Sequence, residues 1–252
     1  MKELTYIIPV FNVADEKVAK LLPKAIKSIG KDDIILVGNK EDLDLVKDAK
    51  NITKLVNETG NLSYPNQVML AVREVKTEYF CVVEQDDEVN TKWASCVEDY
   101  IKESDENIFA FLPLTEVVDS TDDTIIGYAN EAFWASSFSE ELGFMDINSL
   151  QDYLNFNTSG GVFKTKDFLA LGGLKTSMKL VFWYEFLLRA LYKEKQIFVI
   201  PRVGYFHKIN REGNLTDIYT KSISEKEAEW WIELAKKEFY FPQDRNKQYE
   251  EE

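Results

Sequence analysis

The sequence predicts an α/β fold in which a mostly parallel sheet is flanked by helices and followed by a C-terminal helical extension. Short apolar runs alternate with helix-like periodicity through the first ninety residues, and these runs are continuous rather than interrupted by polar residues. Continuous apolar strands are typical of a parallel sheet covered on both faces by helices. The chain has 252 residues, of which 45% are hydrophobic, so it can build one large domain with a substantial core.

The first part of the chain is predicted to contain four buried strands joined by helices. The strands are expected at 5–11, 33–39, 52–57 and 78–84. The helices are expected at 13–30, 41–49 and 66–75, with a loop over 58–65. Gly30 should end the first helix, and Pro23 is expected to kink or divide it.

Beyond residue 90 the pattern is less regular. Helices are expected at 91–104, between the two glycine pairs of 158–174, and at 182–194; strands are expected at 107–119 and 196–207. Residues 119–124 read as a polar turn, and 142–157 are mixed. An amphipathic helix is predicted over 222–241, where Ser222 and Glu225 have capping-box spacing, and the tail 243–252 is expected to fray.

Composition limits the partners and the compartment. The net charge of -14 disfavours a broad surface for nucleic acid, although a local basic groove is not excluded. The two cysteines, Cys81 and Cys96, do not form a disulfide framework, which favours a reducing compartment. The apolar run at the N-terminus is too short for a signal peptide or a membrane span, so the expected location is cytoplasmic. A homo-oligomer stays open.

The stretch "VVEQDDEVN" (82–90) is the strongest chemical signal in the chain. Its carboxylates follow a buried strand and are Glu84, Asp86, Asp87 and Glu88. In open parallel sheets, ligands bind outside the carboxyl ends of the strands, where Asn12 and Gly38–Asn39 are also expected. Carboxylates at i and i+2 suit Mg²⁺ or Mn²⁺, which take further ligands from substrate phosphates. The alternative is a solvated acidic turn.

Several motifs occur in one order along the chain. "TYIIPVFN" opens it, "SYPNQ" (63–67) and "VVEQDDEV" follow, and "SGGVFKTKDFLALGGL" and "LLRAL" (187–191) come later. The ordered set resembles the family 2 glycosyltransferases with the Rossmann-like GT-A fold, over roughly residues 4 to 215. The resemblance implies a GT-A-like domain over 1–220, with a nucleotide-binding half (1–90) and an acceptor-binding half (91–220). Residues 221–252 would form a C-terminal amphipathic helix and acidic tail.

The resemblance implies roles for matching residues on the donor side. The wall and floor under the nucleotide base would be formed by Pro9, Val10, Phe11 and Asn12. Asn66 matches the Asn of the family's "ARN" motif. Glu84 stands where an acidic residue approaches the ribose or the metal, and Gly160 and Gly161 would let the backbone approach the donor sugar.

The resemblance also implies a metal site. Asp86 would ligate the metal and take part in catalysis, and Asp87 would ligate beside it. His207, the only histidine in the chain, lies where many relatives place a residue that reaches the metal or the diphosphate. For a single histidine, a structural or surface role is the alternative to ligation.

The sequence departs from the family pattern in three places. The first acidic position is Glu84 rather than Asp. The second strand ends "LVGN" without a carboxylate for the base, and Asp42 and Asp44 are expected to be solvated, so the nucleotide preference stays open. The family's "ED" dyad falls at Phe182 and Trp183, neither of which can deprotonate a hydroxyl.

A replacement base is therefore needed for the acceptor hydroxyl. Glu185 is the nearest carboxylate, and its alternative role is an i,i+4 pair with Arg189. Asp146 and Asp152 are weaker candidates. Trp183 and Tyr184 either stack on a sugar or belong to the core, and the core is the more frequent place for aromatics of an apolar helix.

The sequence thus predicts a metal-dependent glycosyltransferase. It would move a sugar from a nucleotide-diphosphate sugar, expected to be UDP-linked, to a hydroxyl acceptor such as a glycan, a lipid-linked or a small molecule, with inversion. The absent "ED" dyad supports a second reading, a GT-A-like nucleotide-sugar-binding module without catalysis. A nucleotidyltransferase ranks last, because no glycine-rich loop bearing Lys or Arg follows the first strand.

Overall fold

The computed structural model describes residues 3–104, 108–139, 141–210 and 223–238. Its strands are β1 (Leu4–Pro9), β2 (Asp33–Gly38), β3 (Ile52–Val56), β4 (Tyr79–Val82), β5 (Glu88–Val89), β6 (Ile108–Asp119), β7 (Ile125–Ala129), β8 (Val162–Lys164) and β9 (Gln196–Ile209). Its helices are α1 (Glu16–Ile29), α2 (Lys40–Asp44), α3 (Tyr64–Glu74), α4 (Trp93–Glu103), α5 (Ile147–Asp152), α6 (Thr165–Ala170), α7 (Phe182–Tyr192) and α8 (Glu225–Glu238), with a 3₁₀ helix at Glu131–Trp134.

Within the described ranges the strands form one sheet in the order β3-β2-β1-β4-β8-β6-β9-β5, with β7 beside β6. The neighbours from β3 to β4 are all parallel. The three-residue strand β8 is antiparallel to both β4 and β6, whereas β6 and β9 run parallel. The predicted α/β class is confirmed, and β8 separates the parallel N-terminal strands from the parallel pair β6 and β9 because it enters the sheet in the opposite direction.

The core lies on both faces of the sheet. Along β1, Ile7 belongs to one buried apolar cluster, while Tyr6 and Ile8 belong to the other. Successive side chains of a strand point to opposite faces, so a strand buried on both sides must be apolar at every position. This requirement explains why β1, β2 and β4 read as continuous apolar runs, whereas β3, predicted to be buried, is a partly exposed edge strand that carries Thr53 and Lys54.

The helices differ from the expectation in several respects. Pro23 lies inside one undivided helix, α1, where the buried neighbours Leu22 and Ala25 pack on the sheet and offset the lost backbone hydrogen bond. Helix α3 begins at Tyr64, with Pro65 in its first turn. Helix α8 begins at Glu225, and its capping hydroxyl is that of Ser224, which accepts from the Glu227 N–H at 3.2 Å.

Some predicted features fall outside the described ranges. Ser222 and the tail 243–252 are among them. In the part of the chain that the structure describes, no helix is both long enough and apolar enough to cross a membrane.

Candidate functional site

A cavity of about 300 Å³ opens at the carboxyl edge of the sheet. The segment after β4 that carries Glu84, Asp86, Asp87 and Glu88 is called the acidic turn. It forms one side of the cavity, together with His207 and Lys208 near the end of β9. The segment before β8 and the start of α7 form the other side. The predicted position of the acidic stretch at a binding edge therefore agrees with the structure.

Asp87 is the most deeply buried carboxylate of the acidic turn, at 1% exposure. Its Oδ2 accepts hydrogen bonds from the Tyr205 hydroxyl at 3.0 Å and from His207 Nδ1 at 2.8 Å, and its Oδ1 accepts from the Lys208 N–H at 2.8 Å. These three donors all come from β9. Asp87, which was expected to ligate a metal, lines the cavity, and its oxygens fasten the acidic turn to β9.

His207 lies beside the acidic turn and lines the cavity. Burial alone would lower the pKa of His207, but the charge of Asp87, its hydrogen bond, and the charges of Glu84 and Asp86 raise it to about 9. The hydrogen bond to Asp87 occupies Nδ1, so Nε2 is the ring nitrogen that remains for a ligand.

Glu84 is held by two hydroxyl groups. Its Oε1 accepts from the Tyr64 hydroxyl at 2.7 Å and from Ser159 Oγ at 3.0 Å. Burial raises the pKa of Glu84 to about 7 against the lowering effect of the Tyr64 hydrogen bond, and the charges of Asp87 and Asp86 add to the rise. Asp86 lies between these two fixed residues and lines the cavity.

The loop after β1 is fixed by two side chains that sequence reasoning did not assign to the site. Gln85 accepts from the Phe11 N–H at 2.8 Å and donates to the Phe11 carbonyl at 3.0 Å. Asp42, expected to be solvated, is 7% exposed and accepts from the N–H groups of Asn12 and Val13 at 3.1 and 2.6 Å.

The four residues expected under the base thus divide into two pairs. Pro9 and Val10 are buried in the sheet, whereas Phe11 is half-buried and Asn12 is exposed at the edge. Asn66 lies apart from the cavity lining and holds the preceding loop, because its Nδ2 donates to Thr59 Oγ1 at 2.9 Å and to the Asn61 carbonyl at 2.6 Å.

The first glycine pair lies directly behind the cavity. Gly160 has φ +78°, and a Cβ there would come within 2.6 Å of the Tyr205 ring. Trp93 Nε1 donates to the Gly160 carbonyl at 2.7 Å. A Cβ at Gly161 would lie 2.5 Å from Leu112. Both glycines are therefore required by close packing.

Tyr205 connects the turn at Gly160 and Gly161 to the acidic turn. Its hydroxyl accepts from the Glu84 N–H at 2.9 Å and donates to Asp87, while its ring lies under Gly160. The alternation of strand residues gives Tyr205 and His207 the same face of β9, which is the signal that could have identified Tyr205.

Glu185 does not reach the cavity, and this corrects its expected role as the base. It is 0% exposed and forms a bidentate pair with Arg189 at 2.9 and 2.8 Å. Lys175 Nζ lies 3.2 Å from Glu185 Oε1. Arg189 also donates to the carbonyls of Leu171 and Gly173. The i,i+4 pair considered as the alternative is what the structure contains.

The other residues considered near the acceptor have structural partners. Asp146 caps α5 by accepting from the Ser149 N–H at 2.8 Å. The Trp183 ring stacks on Phe163 at 5.3 Å, and Tyr184 is 1% exposed. These two aromatics belong chiefly to the core, while Trp183 also lines the cavity. The side chain of Asp152 lies outside the described residues.

Comparison with known proteins gives a structural answer only. No family model and no curated protein sequence matches the chain. Among solved structures, S. aureus TarS 1-349 in complex with UDP matches with TM-score 0.64 and 14% identity over 96% of this chain and 73% of that chain. The complex of the same protein with UDP-GlcNAc matches with TM-score 0.64 and 12% identity over 85% and 60%.

A further structure of TarS 1-349 matches with TM-score 0.61 and 15% identity. The match covers 82% of this chain and 60% of that one, so this chain spans about three fifths of the length of that neighbour. Identities this low are evidence for the fold alone. TarS is of the GT-A type, and the chain described here has the GT-A glycosyltransferase fold.

Proposed function

We propose that the protein is a glycosyltransferase that transfers a sugar from a UDP-linked sugar to a hydroxyl acceptor, with inversion. The observation that carries the proposal is the fixed acidic turn, which together with His207 forms one side of a cavity at the carboxyl edge of a GT-A sheet. The structural neighbours with UDP and UDP-GlcNAc support the donor class.

Mn²⁺ or Mg²⁺ is part of the proposal. Among the described residues, no three His, Cys, Asp or Glu side chains are grouped as a ready-made metal site. A hard cation needs few protein ligands when a diphosphate supplies the others. Asp86 and His207 line the cavity and would hold the cation. Asp87 orients the imidazole of His207 through Nδ1. When bound, the cation would stabilise the negative charge that grows on the leaving diphosphate.

The protein's own residues would then divide the work of binding the donor. Phe11 and Asn12 are the residues of the first loop that reach the edge and would lie under the base. Glu84 would approach the ribose, and the turn at Gly160 and Gly161 would approach the sugar. Gln85 and Asp42 would hold the first loop in place, as their hydrogen bonds to its backbone indicate.

A second candidate function is nucleotide-sugar binding without transfer. It is favoured by Phe182 and Trp183, which line the cavity where the resembling family has an acidic dyad. Donor hydrolysis and transfer to a panel of glycan, lipid-linked and small-molecule acceptors would separate the two functions. Turnover of the donor supports the enzyme, whereas binding without turnover supports the module.

Calorimetric titration of UDP and GDP, each with and without Mn²⁺, is the direct test. We expect UDP to bind in the presence of Mn²⁺ and to bind weakly without it. If neither nucleotide binds under either condition, the donor-site assignment is wrong.

A further inference from the structure

The cavity has two chemically different sides. One side carries Asp86, His207 and Lys208, and the other has an apolar part beside the polar residues 157–159. The apolar side is made of half-buried Phe156, Leu180, Val181 and Phe182, with Trp183 behind them. A ligand that fills the whole cavity must therefore present a charged group to one wall and an apolar surface to the other.

Phe182 is the aromatic ring that connects the two sides. It is the first residue of α7, and it stacks on Tyr64 with the ring centres 5.4 Å apart and the ring planes at 25°. The hydroxyl of Tyr64 in turn donates to Glu84 in the acidic turn at 2.7 Å. The position of the Phe182 ring is thus braced against the charged wall.

The backbone before Phe182 has an unusual conformation. Val181 has φ +53°, in the left-handed region that a β-branched residue rarely adopts. Such a conformation persists only where the surrounding structure imposes it, and it is frequent at ligand sites. Next to Val181, the adjoining segment is fastened by an ion pair between Lys179 and Glu227 of α8 at 3.2 Å.

We propose that the sugar of the donor lies against this apolar wall, with a C–H face of its pyranose ring stacked on Phe182. This inference rests on the proposed function, because the diphosphate on the charged wall is what brings the sugar to the opposite wall. A pyranose has hydroxyl groups at its edge and C–H groups on its faces, so a ring face can pack on an aromatic ring. Thr158 and Ser159, which also line the cavity, are placed for the hydroxyl edge.

The wall predicts how the sugar adds to binding. The cavity of about 300 Å³ is at the small end for ligand pockets, which suits a single sugar ring next to a diphosphate. The contribution of Phe182 should therefore be found in the difference in affinity between UDP and a UDP-sugar, and not in the affinity for UDP itself.

The test compares UDP with UDP-glucose, UDP-galactose and UDP-GlcNAc, all with Mn²⁺, by calorimetry. In Phe182→Leu, which keeps apolar volume but removes the ring, we expect the affinity for the best UDP-sugar to fall about threefold to tenfold while the affinity for UDP is retained. Phe182→Tyr should restore the affinity for the UDP-sugar. Phe144→Leu is the matched control, because Phe144 is a half-buried Phe whose ring packs at a tilt of 58° on Phe198, away from this cavity.

Four outcomes would overturn the inference. Equal losses for UDP and UDP-sugars in Phe182→Leu would mean that the ring only supports the fold. An unchanged UDP-sugar affinity with a raised KM for the acceptor would assign the ring to the acceptor instead. If the unsubstituted protein fails to bind UDP, the proposed function is wrong and so is this inference. If UDP binds normally and Phe182→Leu leaves the difference in affinity between UDP and the UDP-sugar unchanged, this inference alone is wrong.

Discussion

Two groups of carboxylates in this fold have opposite electrostatic surroundings. In α7, the fully buried Glu185 faces two positive side chains, Arg189 and Lys175. In the acidic turn, the neutral hydroxyl groups of Tyr64 and Ser159 hold Glu84. Glu185 is therefore neutralised by cations, whereas Glu84 is held by neutral groups; its neighbours in the turn, Asp87 and Glu88, contact His207 and Lys208.

The difference separates a carboxylate that serves the fold from carboxylates available for a ligand. A buried carboxylate that is paired with Arg is neutralised inside the protein. Neutral donors fix the position of Glu84 without placing a positive charge beside it. Substitutions in the two groups should therefore give opposite patterns of stability and binding.

The largest effect is expected for Glu185→Ala. The substitution leaves Arg189 buried without its bidentate partner, so the free energy of unfolding should fall by about 3–5 kcal/mol. Urea denaturation measures this loss. Glu16→Ala, which removes an exposed i,i+4 pair with Lys20, is the control and should leave stability unchanged within error. A loss no larger than in this control would show that the ion pair does not stabilise the fold.

Asp86→Ala should have the reverse pattern. We expect metal-dependent UDP affinity to fall by more than about 100-fold, which exceeds the loss typical of residues that only support a ligand. The free energy of unfolding should change little, because Asp86 is half-buried at the cavity. Calorimetry with and without Mn²⁺ checks the binding, and Asp44→Ala, on the exposed side of α2, is the control. Retained metal-dependent binding would remove Asp86 from the site.

Tyr205→Phe lies between these extremes. The ring would keep its packing under Gly160, but the Glu84 N–H and Asp87 Oδ2 would each lose a buried partner. We expect the free energy of unfolding to fall by about 1–3 kcal/mol, together with a weaker response of UDP binding to Mn²⁺. Tyr128→Phe, at a 41% exposed position on β7, is the control. A stability loss with an unchanged response to Mn²⁺ would limit Tyr205 to the fold.

A separate effect concerns pH. Because the folded protein raises the pKa of Glu84 from 4.5 to about 7, its protonated form favours the folded state, and this contribution is lost as pH rises through about 7. His207, whose pKa rises from 6.5 to about 9, acts mainly above that window. In metal-free protein, Glu84→Gln should therefore flatten the decline of stability between pH 4.5 and 7. Denaturation curves at several pH values test this, and equal slopes in both proteins would contradict it.

The two parts of the fold differ in how well their strands could be predicted from the sequence. Strands β1, β2 and β4 were predictable because burial on both faces requires uninterrupted apolar residues. Strand β8 has only three residues, and its antiparallel insertion depends on contacts with β4 and β6 that no local pattern encodes. Strand β7 was missed because it follows a polar turn and exposes Ile125 and Ile126.

The residues of the site likewise divide into those that the sequence could predict and those that it could not. The order of motifs was enough to bring Glu84, Asp86 and His207 to one cavity. The partners of Asp87 depend on how β9 lies against the acidic turn, so Tyr205 was not found. For Glu185, the spacing to Arg189 was visible, but burial decides between an ion pair and a base, and burial follows from tertiary packing.

The position of β8 also constrains the order in which the chain can fold. Tyr79 to Cys81 of β4 pair with residues 162–164, so one edge of β4 stays open during synthesis until β8 has left the ribosome. An open apolar strand edge invites association with other chains, and sheets built from distant segments fold slowly. A truncated chain of residues 1–90 should therefore aggregate rather than fold, and the two halves should unfold together as one cooperative unit.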